Sequence, residues 1–335
     1  MKSQKKQVPF LDGSNWSNIF HLSLQKTSTA IAAAIVLLCM INAFWLLERT
    51  QVDATQIETT QVLPAQERAI LTLADGRSID LDSAVSGILL QDDAIRIERS
   101  NDGQIQYSVQ GEIKAKGNNN IRTPRAGTYS IVLPDGTKAW LNAESSLTYP
   151  VQFSDQERRV SMTGEVFFQV TKQYNKKKAL IPFYVMTKDQ EVEVLGTQFN
   201  IRAYPNEEES RAILAKGSIR VRSLRHAQTV LLNPGEQAVI ADDLRVLPAD
   251  LESQLAWKEG DFIFHEEPLS KVLPMLARWY DVSYSCPKEL EGILLSGMLS
   301  RRQPLTTVIS SIAATHQTNL ILKERRIIVS KRKER

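Results

Sequence analysis

The chain has 335 residues, 42% of them apolar and 24% charged, which is enough to bury one or two soluble cores. Its formal net charge of +3 is mild and comes partly from terminal lysine and arginine runs, so composition gives no support for a direct nucleic-acid partner. Two cysteines, Cys39 and Cys286, exclude a disulfide scaffold.

Residues 1–27 read as a short cytosolic segment. Ser14 or Asn15 can cap a brief helix on which Trp16, Ile19, Phe20 and Leu24 form one apolar stripe. That stripe is either an interfacial lead-in to the next segment or a docking stripe for a cytosolic partner. Residues 28–47 are predicted to be a transmembrane helix. Its core, Ala30 to Leu47, carries no charged side chain and at ~1.5 Å per residue spans roughly 27 Å of bilayer. Only a helix satisfies its own backbone there. A cleavable signal peptide is the rival, but the run is long for one. Phe44, Trp45, Leu46, Leu47 and Glu48 also stand where a signal peptidase needs small residues. Lys2, Lys5, Lys6 and Lys26 precede the run, which keeps the N-terminus inside and sends the bulk outside. Cys39 and Cys286 then lie in different compartments and cannot pair.

Residues 48–67, rich in Thr and Gln and reaching Pro64, read as a linker. From 68 to 250 the hydrophobic period is two, with turn signals between runs, and the expectation is an all-β domain: a sandwich, barrel or short solenoid. The Asp75-Gly76 pair inside ILTLADGRSIDLD predicts a hairpin. SIVLPDGTKAWLN repeats the plan, with Leu133, Asp135, Gly136 and Leu141 matching Leu73, Asp75, Gly76 and Leu81. Arg159 to Met162 and Val166 to Val170 read as two separate strands. Residues 256–330 change texture to a small α+β domain. Pro268, Leu269, Val272, Leu273, Leu276 and Ala277 recur 36 residues later as Pro304, Leu305, Val308, Ile309, Ile312 and Ala313. That repeat predicts a βαβ-βαβ unit with two helices on one face of one small sheet, and a kink at Pro274.

Sequence motifs for chemistry are few. The histidines His21, His226, His265 and His316 form no metal-ligand spacing, and there is no Cys-x-x-Cys, nucleophile elbow, P-loop or dinucleotide fingerprint. Neither an enzyme nor a cofactor is expected, and a receptor or transducer remains.

Several stretches carry a family resemblance in order. They are TPRAG from Thr123, LPDGTKAWLNAESSLTYP from Leu133, GEVFFQV from Gly164, PFYV from Pro182, VLGTQFNIRAY from Val194 and LNPGEQA from Leu232. Together they resemble the FecR family of inner-membrane sigma-factor regulators. WKEGDFIF from Trp257 and RWYDV from Arg278 are similar to the C-terminal, STN-like domain of Bacteroidetes-type members. The resemblance implies an anti-sigma factor in the inner (cytoplasmic) membrane, single-pass, with a periplasmic bulk. It implies an extracytoplasmic-function (ECF) sigma factor as cytosolic partner, met at Trp16, Ile19, Phe20 and Leu24. It also implies the signalling domain of an outer-membrane TonB-dependent transporter as periplasmic partner. The segment before the membrane is shorter than the family's helical module, which leaves a periplasmic adaptor without sigma binding as the alternative. Some members cleave themselves at a Gly-Thr pair, here Gly196-Thr197. The threonine hydroxyl would attack the preceding carbonyl; the bland reading is a tight turn.

Overall fold

The structure is a computed structural model that describes residues 61–82, 87–91, 95–99, 105–109, 117–315 and 318–331. All of them fall within one compact unit, Gln61–Arg335. Among the described residues no helix is long and apolar enough to cross a membrane. The expected spanning segment 28–47 and the stripe Trp16, Ile19, Phe20 and Leu24 lie outside the described residues.

Strand alternation builds two sheets that share one core. The first runs, in ladder order, Ser78–Asp80, Ile70–Thr72, Asn118–Arg122, Ser146–Pro150, the first half of Arg158–Gln169, Phe183–Met186, Gln190–Val194, Ile219–Ser223 and Thr229–Leu232. The second runs Gly87–Gln91, Ile95–Arg99, Ile105–Val109, Gly127–Val132, Lys138–Leu141, the second half of Arg158–Gln169, Gln198–Ala203, Ser210–Lys216, Glu236–Ile240 and Leu244–Pro248. From Asn118 onward the chain places a strand or hairpin in one sheet and then in the other. The result is a sandwich wound like a short solenoid. Leu71, Ile121, Leu147, Val185 and Val221 of the first sheet meet Ile131, Leu141, Phe168, Phe199 and Leu214 of the second in that core.

The two strands expected at Arg159 to Met162 and Val166 to Val170 are one strand of 12 residues that changes sheet midway. Its N-terminal part pairs with Ser146–Pro150 and its C-terminal part with Gln198–Ala203. The bend sits at Gly164, where φ is +85° and a Cβ would lie 2.7 Å from Ser145 Cα and 2.8 Å from Glu144 O. Only glycine fits such a corner. The paired turns behave alike: Leu73 N donates to Arg77 O at 2.8 Å and Gly76 N to Leu73 O at 2.9 Å, while Leu133 N donates to Thr137 O at 2.8 Å and Gly136 N to Leu133 O at 2.9 Å. Asp75 stays exposed, whereas Asp135 is buried against Arg158 at 2.8 Å. The Arg158 guanidinium also donates to Thr171 O at 2.7 Å and Ile181 O at 2.8 Å. That pair is desolvated; the two Nη atoms are matched by the Asp135 carboxylate and two carbonyls, while Nε has no hydrogen-bond partner among the described residues.

The C-terminal part opens with a helix that hydrophobic periodicity does not reveal, α1, Leu251–Glu259, in which only Ala256 is buried. Its caps define it. The Asp250 side chain accepts from Ser253 N at 3.2 Å, and Gly260 at φ 95° closes the last turn. Helix α2, Leu269–Tyr280, follows the strand Asp261–Pro268; α3, Lys288–Glu291, is one turn; α4, Leu305–Thr315, lies near the end. The expected single sheet is corrected to two. Asp261–Pro268 pairs antiparallel with Leu294–Ser300. Ser283–Ser285 pairs parallel with Arg326–Lys331, which also pairs with Thr318–Lys323. The reason lies in α2, where eight of 12 residues are buried. Those residues occupy more surface than one apolar stripe, and one sheet covers only one side of a helix. Phe262, Phe264 and Leu295 from one sheet and Leu320, Ile327 and Val329 from the other meet both helices in a single core. The repeat holds in three dimensions: Leu269, Val272, Leu273 and Leu276, and Leu305, Val308, Ile309 and Ile312, are all buried. Helix α2 continues on both sides of Pro274.

Candidate functional site

A dense cluster of charge lies where the sandwich meets the C-terminal part. The loop after Asn118–Arg122 carries Arg125. Its Nη2 donates to Ala277 O at 2.8 Å and Val282 O at 2.6 Å, and its Nε to Asp281 Oδ1 at 3.0 Å. A guanidinium therefore caps the carbonyl end of α2, where the helix dipole is negative. Beside it Ala126 N donates to Arg278 O at 2.8 Å.

Arg278 reaches back from α2 into the sandwich. It pairs with Glu207 at 2.7 Å, lies 3.4 Å from Glu144 and donates to Asn206 Oδ1 at 3.2 Å. Its guanidinium stacks 3.8 Å from the centroid of Tyr204. Tyr204 is buried, and its hydroxyl donates to Ala143 O at 2.9 Å. Burial pushes that phenol well above its ordinary pKa. Glu207 also feels burial, which raises its pKa, yet Arg202 at 2.7 Å and Arg278 outweigh it and hold the carboxyl below its usual value.

Behind this pair Glu165 is 4% exposed and accepts from Asn142 Nδ2 at 2.8 Å and Asn200 Nδ2 at 3.0 Å, with Arg202 3.6 Å away. Arg301, in the loop between Leu294–Ser300 and α4, is buried and donates to Trp257 O at 3.2 Å and Asn142 Oδ1 at 3.3 Å. It lies over Trp279 at 4.0 Å and Phe262 at 4.7 Å. Among the described residues no carboxylate lies within ion-pair distance of it. Burial lowers its pKa to about 10, so it stays charged at neutral pH. Asn142, Glu165, Arg202, Tyr204, Arg278 and Arg301 surround a cavity of about 10 Å³, the size of about one water.

Such an arrangement binds and positions; it does not suggest catalysis. Its groups are tied to one another, and the cavity is too small for a substrate. The described residues hold no cluster of three or more His, Cys, Asp or Glu suited to a metal. Thr197 is 4% exposed, and its hydroxyl donates to Ser218 O at 3.1 Å. Among the described residues no His, Asp or Glu side chain hydrogen-bonds to that hydroxyl. Gly196 is outside the left-handed region; a Cβ there would press on the stem of Lys172. The backbone at Gly196 is therefore not strained, and the one close neighbour of a Cβ there is the exposed, flexible Lys172 side chain.

The sequence reading picked out none of the arginines as site residues, although Arg125, Arg202 and Arg278 stand inside the motifs quoted above. A signal was available. Arg278 sits directly after the apolar stripe of α2, on a helix with no acidic residue in its first turn. Trp279, Tyr280 and Phe264 are core residues, 8%, 1% and 3% exposed.

The same two parts are distinguished by comparison with known proteins. Residues 119–220 match the family described as FecR protein, and residues 261–329 match FecR, C-terminal; together they take in just over half of the chain. The chain belongs to the FecR family. A crystal structure at 1.65 Å of a candidate anti-sigma factor from Parabacteroides distasonis ATCC 8503 is similar at 28% identity and a TM-score of 0.57. The match covers 63% of this chain and 98% of that one. A second crystal structure of such a factor from the same organism, at 2.50 Å, matches at 27% identity and a TM-score of 0.57, over 64% and 99%. No protein of curated function matches the chain. The buried arginine clamp thus joins two FecR modules, one on each side of it.

Proposed function

We propose that this FecR-family chain is a transmembrane regulator that passes a signal from the outer envelope to an ECF sigma factor. A sigma-factor regulatory role follows from the two family modules and the anti-sigma-factor neighbours. The observation that carries the finer reading is the clamp. The C-terminal module is fixed to the sandwich by Arg125 and Arg278, so force or binding on one module is felt by the other.

In this reading residues 28–47 anchor the chain in the inner membrane, the N-terminus is cytosolic and residues 68–330 are periplasmic. The cytosolic stripe Trp16, Ile19, Phe20 and Leu24 meets the sigma factor. The periplasmic partner is the signalling domain of a TonB-dependent transporter. The α+β module suits such a partner because residues 295–300 have one ladder partner among the described strands, and Met298 there is 63% exposed. A second strand can be added there by main-chain hydrogen bonds. The protein acts without catalysis, and the Gly196-Thr197 bond is read as a turn.

Co-purification of the full-length chain from membranes with a sigma factor encoded beside it tests the reading, together with protease added to spheroplasts. Sigma factor retained and the bulk digested is the expected result. No sigma factor, with the bulk inaccessible, rejects it.

A further inference from the structure

Six residues, 63–68, separate the first buried residues of the two cores. Val62 is 3% exposed and belongs to the core of the α+β module, with Ala65 packed against the same cluster. Its carbonyl accepts from Leu305 N at 3.1 Å, one of the amides that a helix leaves unpaired at its start, here that of α4. Ala69, at 2% exposure, belongs instead to the sandwich core. Between them Gln66 and Glu67 pair in parallel with Gly127 and Thr128, directly beside the loop that carries Arg125. Gln66 N donates to Ala126 O at 3.2 Å and Arg68 N to Thr128 O at 3.1 Å.

The two attachments are unequal. On the sandwich side the strap has a ladder, a buried Ala69 and Leu71, and an ion pair of Arg68 with Asp82 at 3.0 Å. On the α+β side it has the Val62 side chain, the edge of Ala65 and one backbone bond. Leu63 beside it points outward at 55% exposure. Pro64 has no N–H, so the strap cannot lengthen its ladder toward Val62.

We propose that Gln61–Ala65 is a releasable latch: the α+β module holds the chain preceding the sandwich by the Val62 peg, and a partner that shifts the start of α4 lets it go. Residues 1–60 continue directly from Gln61, so release changes the tether of everything before it while both cores stay folded. The regulatory consequence rests on the proposed role of residues 1–60 as the output end; the latch itself does not.

Hydrogen exchange on the full-length chain in membranes, beside a sigma-dependent reporter in cells, tests the latch. Val62→Asp is expected to speed exchange of Leu305 N–H by about tenfold or more, the loss of one buried valine contact, while Gln66 N–H keeps its protection on the sandwich. Residues 269–280 and 320–329 keep their protection, and reporter output moves several-fold without inducer. Leu63→Asp, on the exposed side, changes neither. Should Val62→Asp unfold the α+β module, Val62→Ala gives the same pattern in reduced measure. A Leu305 N–H exchanging at the solvent rate in the wild type, or an equal effect of Leu63→Asp, overturns the latch; a released strap with unchanged output overturns its regulatory consequence. A reporter unmoved by deletion of the whole chain rejects the regulator reading instead, and the exchange data still decide whether the strap is held.

Discussion

Replacing Arg278 by leucine removes the centre of the clamp while keeping an apolar stem on α2. The lost interactions are a charge-assisted bond to Glu207 at 2.7 Å and stacking on Tyr204 at 3.8 Å. A desolvated cation–π contact contributes about 2 kcal/mol and a hydrogen bond to a charged group about 1.5–3 kcal/mol. Two effects offset them. The guanidinium no longer has to be stripped of water, and Glu207 is not orphaned, because Arg202 stays paired with it at 2.7 Å. The net expectation is a loss of about 3 kcal/mol in urea unfolding of residues 61–331, followed by tryptophan fluorescence. Trp257 and Trp279 both adjoin Arg301 and report on the junction. Arg278→Lys keeps the charge but not the planar fork and should cost less. Combined with Tyr204→Leu, Arg278→Leu should show a coupling of about 1–2 kcal/mol. A loss below about 0.5 kcal/mol, the range of an ordinary surface substitution, would refute the reasoning that this pair holds the modules together.

Acid should loosen the same junction. Glu207 is held below its usual pKa, so its contribution is complete above about pH 4.3, the ordinary value, and vanishes as pH falls through the folded-state value. Urea midpoints between pH 6 and pH 3 should therefore fall more steeply for the wild type than for Glu207→Gln; parallel curves count against it. Gly164→Ala should cost at least about 2 kcal/mol by thermal or urea unfolding, from left-handed backbone strain plus the collision with Ser145. Asp135→Asn strands the buried Arg158 and should cost about 3–5 kcal/mol, whereas Asp75→Asn at the matching exposed turn should leave the urea midpoint nearly unchanged. Membrane preparations should show no fragment beginning at Thr197, with the same bands for Thr197→Ala; a fragment lost in the alanine variant would reinstate self-cleavage.

Much of the fold was legible because burial alternates as the sequence does. The Asp75-Gly76 and Asp135-Gly136 turns, and the repeated stripes of α2 and α4, follow directly from local pattern. What escaped was decided by distant partners. Asn118–Arg122 carries little strand signal, since asparagine is a poor strand former. It is a strand because Ile121 is buried, Asn120 bonds Thr148 at 2.8 Å and Asn119 accepts from Ala74 N at 3.0 Å. Helix α1 lacks an apolar stripe and was visible only through Asp250 and Gly260. The sheet change at Gly164 needs knowledge of Ser145, about twenty positions away in sequence. The clamp was the least legible feature. An arginine beside an aromatic reads as surface decoration until the fold brings Glu207 and Tyr204 to it.

The most direct check is whether the intact chain holds a sigma factor in a manner governed from its C-terminal module. Sigma factor captured with full-length protein from membranes should be quantified for the wild type and for Arg278→Leu. The account predicts capture by the wild type and a several-fold change, in either direction, when the clamp is broken with both modules still folded. Equal capture by the two proteins, or none by either, would contradict it.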